Sequence, residues 1–171
     1  MSKPMSAPIR FTLARERGAN IDGAWWPETA RVGNELPLLV SALNPLLGVV
    51  RDVSVNWSRS DSFPDLDAVD YDGIRNSLIP IAQRIICLTG LKRTATLLVI
   101  PYRTSASLAV AILGESAGIA STGNASAKAR ISARRIIREA TKQTHVGLPI
   151  AQSPAAKSPA AKPHGGADAD A

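Results

Sequence analysis

The sequence predicts an α+β fold, a mostly antiparallel sheet covered by helices on one face, with a disordered C-terminal tail. Three observations carry this. Short runs that alternate apolar and polar residues, or are apolar throughout, recur at 9–13, 53–57, 85–88 and 94–100. Three longer stretches, near 34–43, 106–117 and 126–142, carry apolar residues at helical spacing or in alanine-rich runs. After His145 the hydrophobic periodicity stops, and Ser153-Pro-Ala-Ala-Lys157 is repeated as Ser158-Pro-Ala-Ala-Lys162. Such a composition cannot bury enough surface to fold. The expected organisation is a disordered leader (1–7), a single domain (8–144) and the tail (145–171).

Taken in order, Ile9, Phe11 and Leu13 alternate with Arg10, Thr12 and Ala14 as a half-buried strand. Val32, Leu36, Leu39, Val40 and Leu43 form a helical stripe. Asn34 as N-cap places Pro37 in the first turn, where its missing N–H costs nothing, and Asn44-Pro45 ends the helix. Val53, Val55 and Trp57 alternate with polar residues as a half-exposed strand. Ser60 to Gly73 is an acidic surface loop, and Pro80 demotes Ile74–Ile81 to an edge strand. The apolar runs flanking Gly90-Leu91-Lys92-Arg93 read as a hairpin of inner strands, closed by Pro101. Thr104 or Ser105 caps a helix over about 106–117 that is buried, because Glu115 is its only charge. Ala129, Ala133, Ile136, Ile137 and Ala140 make a narrow apolar stripe on a last helix with a basic outer face.

One stretch concentrates a scarce resource. Ile21-Asp22-Gly23-Ala24-Trp25-Trp26-Pro27 holds two of the three tryptophans in a chain that is 4% aromatic. Asp-Gly favours a tight turn and Pro27 holds Trp26 extended, so the segment reads as a rigid strand-to-helix connector. Its adjacent indoles point in different directions, one into the core and one toward the surface. Together with Glu35-Leu36-Pro37 and Leu97-Leu98-Val99-Ile100-Pro101-Tyr102-Arg103-Thr104, this stretch resembles a family of small actinobacterial proteins of unknown function. Members share an Asp-Gly-Ala-Trp-Trp-Pro turn and a Leu-Leu-Val-Val-Pro-x-x-Thr strand leading into an alanine-rich helix. The resemblance spans roughly residues 8 to 120 and implies an architecture and a compartment, with no catalytic residues to carry over.

Composition excludes some classes. No apolar run approaches the roughly 18 residues of a membrane span. Residues 1–6 lack the apolar core of a secretory signal. A single cysteine, Cys87, rules out an internal disulfide framework and fits the cytoplasm. The net charge of +6 gathers late: Lys128, Arg130, Arg134, Arg135, Arg138 and Lys142 face Glu139 alone between residues 122 and 150.

Gly114-Glu115-Ser116-Ala117-Gly118 spells a nucleophile elbow, but that chemistry needs the serine on a strained strand-to-helix turn, with an acid and a histidine following. Here the five residues continue a helix. The aspartates at 61, 65, 67, 70 and 72 lack the glycine and glutamate positions of a calcium loop and read as solvated. Cys87, between apolar neighbours, reads as a small buried residue. No catalytic residue, metal or cofactor is assigned.

The leading expectation is a non-enzymatic cytoplasmic interaction or regulatory domain. A second is weak, sequence-independent contact of the six basic residues of 126–142 with nucleic acid. A third is a small-molecule site or enzyme at the tryptophan turn, with Asp22, Trp25, Trp26, Tyr102 and Arg103 as ligand-binding residues. This last reading expects the 22–27 and 101–104 connections to lie side by side, with Asp22 paired to Arg103.

Overall fold

The computed structural model of the chain describes residues 8–16, 20–58, 61–67, 82–119 and 125–147. The leader, the Ile74–Ile81 strand and nearly all of the expected tail lie outside these residues. Among the described residues five strands and three helices follow in the order β1 (Arg10–Leu13), β2 (Gly23–Trp26), α1 (Val32–Leu47), β3 (Val50–Val55), β4 (Ile85–Gly90), β5 (Thr94–Val99), α2 (Ala106–Ser116) and α3 (Ala127–Gly147). The sheet order is β1-β2-β5-β4-β3. All neighbours are antiparallel except β2 and β5, which run parallel in the register Gly23↔Leu97, Ala24↔Leu98, Trp25↔Val99. The predicted α+β class and mostly antiparallel sheet are therefore present.

The helices cover both faces of the sheet and not one. β4 and β5 are apolar on both sides, so both sides must be shielded from water. Trp25, Ile86, Leu88, Ala95, Leu97 and Val99 form one core with Leu39, Leu43 and Leu47 of α1. Ala24, Ile85, Leu98 and Ile100 form the other with α2 and with the small-residue stripe Ala129, Ala133, Ile136 and Ala140 of α3. Each Leu or Ile fully withdrawn from water contributes about 1.5–3 kcal/mol. α1 packs over β3 and β4, whereas α2 packs beneath β1 and β2 and against α3.

The tryptophan segment is not a connector but the inner strand β2. Asp-Gly and Pro lie at its two ends, and its pairing with β5 spans more than seventy residues, so the local turn chemistry hid it. Alternation along a strand sends the adjacent indoles to opposite faces. Trp25 is 1% exposed in the α1 core, while Trp26 is half-buried against the other. Gly23 is required by close approach: a Cβ there would sit 2.0 Å from the Thr12 carbonyl oxygen of β1.

Helix α1 starts earlier and ends later than expected. Arg31, not Asn34, is the N-cap, and Pro37 and Pro45 both lie inside the helix. Burial of Leu39, Leu43 and Leu47 along one stripe carries the helix through Pro45 until Gly48, at φ 77, turns the chain into β3. In β3, a register shift between Val50 and Asp52 breaks the simple alternation, and Val55, near the strand's end, is 44% exposed.

Candidate functional site

The parallel pair fixes where the chain opens. β2 sends its chain to α1 on one face, and its neighbour β5 sends its chain to α2 on the other. Two adjacent parallel strands whose connections diverge to opposite faces leave a crevice outside their carboxyl ends, the place where open sheets take ligands. Here two lobes meet at Ala30: the first lies on the β1 side, between residues 8–10, 28–31 and α1, and the second lies between Ala30 and residues 101–104. One, about 620 Å³, is lined by residues including Arg10, Trp26, Glu28, Arg31 and Leu38. The other, about 570 Å³, is lined by residues including Phe63, Asp65, Asp67, Tyr102, Arg103 and Thr104. Both volumes fall in the range of small-molecule sites.

Aromatic and cationic side chains converge on this end of the sheet. The Arg10 guanidinium lies 3.8 Å from the centre of the Trp26 ring and donates to the Pro27 carbonyl oxygen at 3.0 Å. Arg10 Nε and Trp26 Nε1 are buried without an acceptor. Glu35 braces the loop after β2: its carboxylate accepts from the backbone N–H groups of Glu28 and Thr29 and from the Thr29 hydroxyl, each at 2.8 Å. These charge-assisted bonds fix a wall of the first lobe before any ligand arrives.

The second lobe is assembled by Arg84, just before β4. Arg84 is 7% exposed, and its guanidinium lies 3.6 Å from the Phe63 ring centre and 5.3 Å from that of Trp57. It also donates to the Asp61 carbonyl oxygen. Burial pushes the Arg84 pKa down, partly offset by Asp61. Asp61 is held below the usual carboxylate range mainly by the backbone N–H of Ser58, with a smaller contribution from Arg84. Phe63 meets Tyr102 edge-on, with ring centres 6.2 Å apart. Buried Leu66 anchors the segment and sets Asp67 beside the start of α2. There the Asp67 carboxylate accepts from the Ser105 backbone N–H at 2.7 Å and from its hydroxyl at 2.6 Å. Ser105 is the N-cap as anticipated, but its side chain makes no capping bond; Asp67 is the acceptor.

The five residues of the third expectation divide. Trp26, Tyr102 and Arg103 reach the crevice. Trp25 lines its floor but is 1% exposed and belongs to the core. Asp22 stands at the opposite end of β2, 6% exposed, with its carboxylate accepting from the Thr96 N–H at 2.9 Å. Arg103 follows the far end of β5, so the expected Asp22–Arg103 pair does not form. The two loops do emerge at one end, because β2 and β5 are parallel, but Asp22 begins β2 and does not share that end. Arg10, Arg84, Asp67 and Thr104 were missed, and no local signal marks them. Arg10 occupies a plain outward position in an alternating strand, and Asp67 meets Ser105 across 38 positions.

The basic residues line the outer side of α3. Lys128, Arg130, Arg134, Arg138 and Lys142 are exposed and Arg135 is half-buried. Arg134 pairs with Glu115 of α2 at 3.1 Å and Lys142 with Glu139 at 2.8 Å, which reduces the charge offered to solvent. Ser116 is a helical serine whose hydroxyl donates to the Leu113 carbonyl oxygen at 3.1 Å and lies 3.2 Å from Thr12 Oγ1. Asp61, Asp65 and Asp67 each accept a backbone N–H, from Ser58, Asp67 and Ser105. Asp70 and Asp72 lie outside the described residues. Cys87 is half-buried, with the Thr96 hydroxyl 3.9 Å from its sulfur. Among the described residues no helix is long and apolar enough to cross a membrane.

Fold and crevice together define a small α+β domain whose ligand-sized cleft opens where its parallel strands end. The chain belongs to DUF5994, a family of unknown function, whose profile matches residues 10–116. That span runs from the start of β1 to the end of α2, so it contains every described strand, the whole lining of the second lobe and all of the first lobe's lining except Pro8 and Ile9, and it excludes α3. Comparison with curated proteins and with solved structures returned no match.

Proposed function

We propose that this is a cytoplasmic binding domain with a regulatory role, taking a small organic molecule in the crevice whose two lobes meet at Ala30. The observation that carries the reading is the divergence of α1 and α2 to opposite faces from adjacent parallel strands. Three further features support it: the aromatic lining, the loop braced by Glu35, and the location of the whole second lobe within the family-matched span. The single free cysteine supports a reducing compartment. A metabolite library screened by thermal shift tests the proposal. Ligands should raise the melting temperature of the wild type and fail to do so in Ala30→Trp, which fills the junction of the lobes. Ligands that stabilise Ala30→Trp equally would contradict it.

A second reading, sequence-independent contact with nucleic acid through α3, rests on the exposure of Lys128, Arg130, Arg134, Arg138 and Lys142 along one helix. Retention on DNA should then fall steeply with salt and vanish when Arg130, Arg134 and Arg138 are replaced together. Retention that persists in the triple variant excludes this helix as the contact.

A further inference from the structure

We infer that the start of α2 is an oxyanion site, and that Asp67 is its built-in occupant, displaced by the anionic group of the crevice ligand. The inference rests on the crevice reading and names the chemistry of one lobe.

The junction reads Arg103-Thr104-Ser105-Ala106-Ser107, a cation and three hydroxyls where a strand passes into a helix. The first turn of α2 contains no acidic residue. Its dipole and unpaired N–H groups therefore favour an anion supplied from elsewhere. An N-cap serine ordinarily accepts a bond from its own helix, but the Ser105 hydroxyl donates outward to Asp67. The helix start thus presents donors: the Ser105 N–H, the Ser105 hydroxyl and the Thr104 hydroxyl.

Thr104 supplies the independent observation. It is 6% exposed, its Oγ1 is buried without a partner, and it lines the same lobe as Asp67. A buried hydroxyl left unpaired is destabilising, a cost that an added acceptor removes. The Asp67 carboxylate satisfies Ser105 and leaves Thr104 unsatisfied. A phosphate or carboxylate that takes the place of the Asp67 carboxylate would meet the Ser105 donors, with Thr104 and Arg103 in the same lining. Asp67 itself is exposed and lies outside the described strands and helices, so its release costs only the bonds that it makes at the start of α2.

The test titrates inorganic phosphate and, separately, acetate into wild type, Asp67→Ala and Asp67→Asn, against sodium chloride at matched ionic strength. The amide resonances of Ser105 to Leu108 are followed by NMR. Asp67→Ala should bind one or both oxyanions at least ten-fold more tightly than wild type, and the preferred anion identifies the ligand's acidic group. Adding Thr104→Val to Asp67→Ala should reverse most of that gain. Asp67→Asn keeps an acceptor for the Ser105 N–H and removes the charge, so it should gain affinity even if Asp67→Ala folds poorly. Equal affinities in wild type and both variants, or shifts reproduced by chloride, would overturn the inference and make Asp67 a helix cap only. That outcome leaves the crevice reading to the library screen, whose Ala30→Trp control does not depend on Asp67.

Discussion

At the residue scale, some buried polar groups build the sheet and others face the crevice. Asp22 belongs to the first kind. Its carboxylate closes the start of β5 through the Thr96 N–H, while its own N–H donates to the Thr96 carbonyl oxygen at 2.7 Å. Asp22→Ala strands the Thr96 donor and should cost about 1–3 kcal/mol in denaturant unfolding, whereas Asp22→Asn, which retains an acceptor, should cost less. Asp61 provides a pH signature. Its folded pKa lies below the ordinary 3.8, so its stabilising effect is present above that value and is lost as pH falls through the depressed one. The acid limb of the stability profile should therefore weaken in Asp61→Asn, with no difference between the two proteins in slope near neutrality. The identity of one crevice residue, Trp26, was legible because tryptophan is rare here and Pro27 follows it. The partners of Asp22 were not, because a sequence gives a carboxylate's neighbours only along the chain, and this one bonds across 74 positions.

At the element scale, helices and hairpin were legible where periodicity is strong, as in α3 and in the β4–β5 pair. Two elements were misread for opposite reasons. β2 has only four residues and turn-forming ends, yet four strand positions suffice when neighbours on both sides supply the hydrogen bonds. α1 contains two prolines, yet its buried leucines outweigh the bonds that they delete. That balance is measurable. Pro45→Ala restores a helical N–H at the level of Ser41 and should stabilise the domain by about 1–2 kcal/mol, the restored bond being partly offset by a freer unfolded chain. An unchanged or lowered melting temperature would mean that Pro45 is accommodated without loss. The Arg134–Glu115 bridge between α3 and α2 is a contrasting case. With Arg134 67% exposed, solvent screens the pair, and Glu115→Gln should shift stability by less than about 1 kcal/mol.

At the scale of the whole molecule, the α+β class follows from the order of periodic segments, but the covering of both faces does not. It becomes visible only when the double-sided burial of β4 and β5 is combined with the parallel placing of β2. That placing also creates the crevice, since connections leaving adjacent parallel strands for opposite faces must part. The tail is proposed, on composition alone, to lie outside the cooperative unit; deleting residues 148–171 should then move the melting temperature by less than about 5 °C, on the order of 1 kcal/mol. The central claim is that the carboxyl ends of β2 and β5 form the ligand site. The most direct measurement is an amide chemical-shift map of the full chain titrated with a small-molecule fragment library. Perturbations should cluster at residues 28–31, 62–67 and 102–105 and spare the turn around Leu91 at the other end of the sheet. Perturbations centred on that turn or on the outer face of α3, with the 28–31 and 102–105 amides unmoved, would contradict the account.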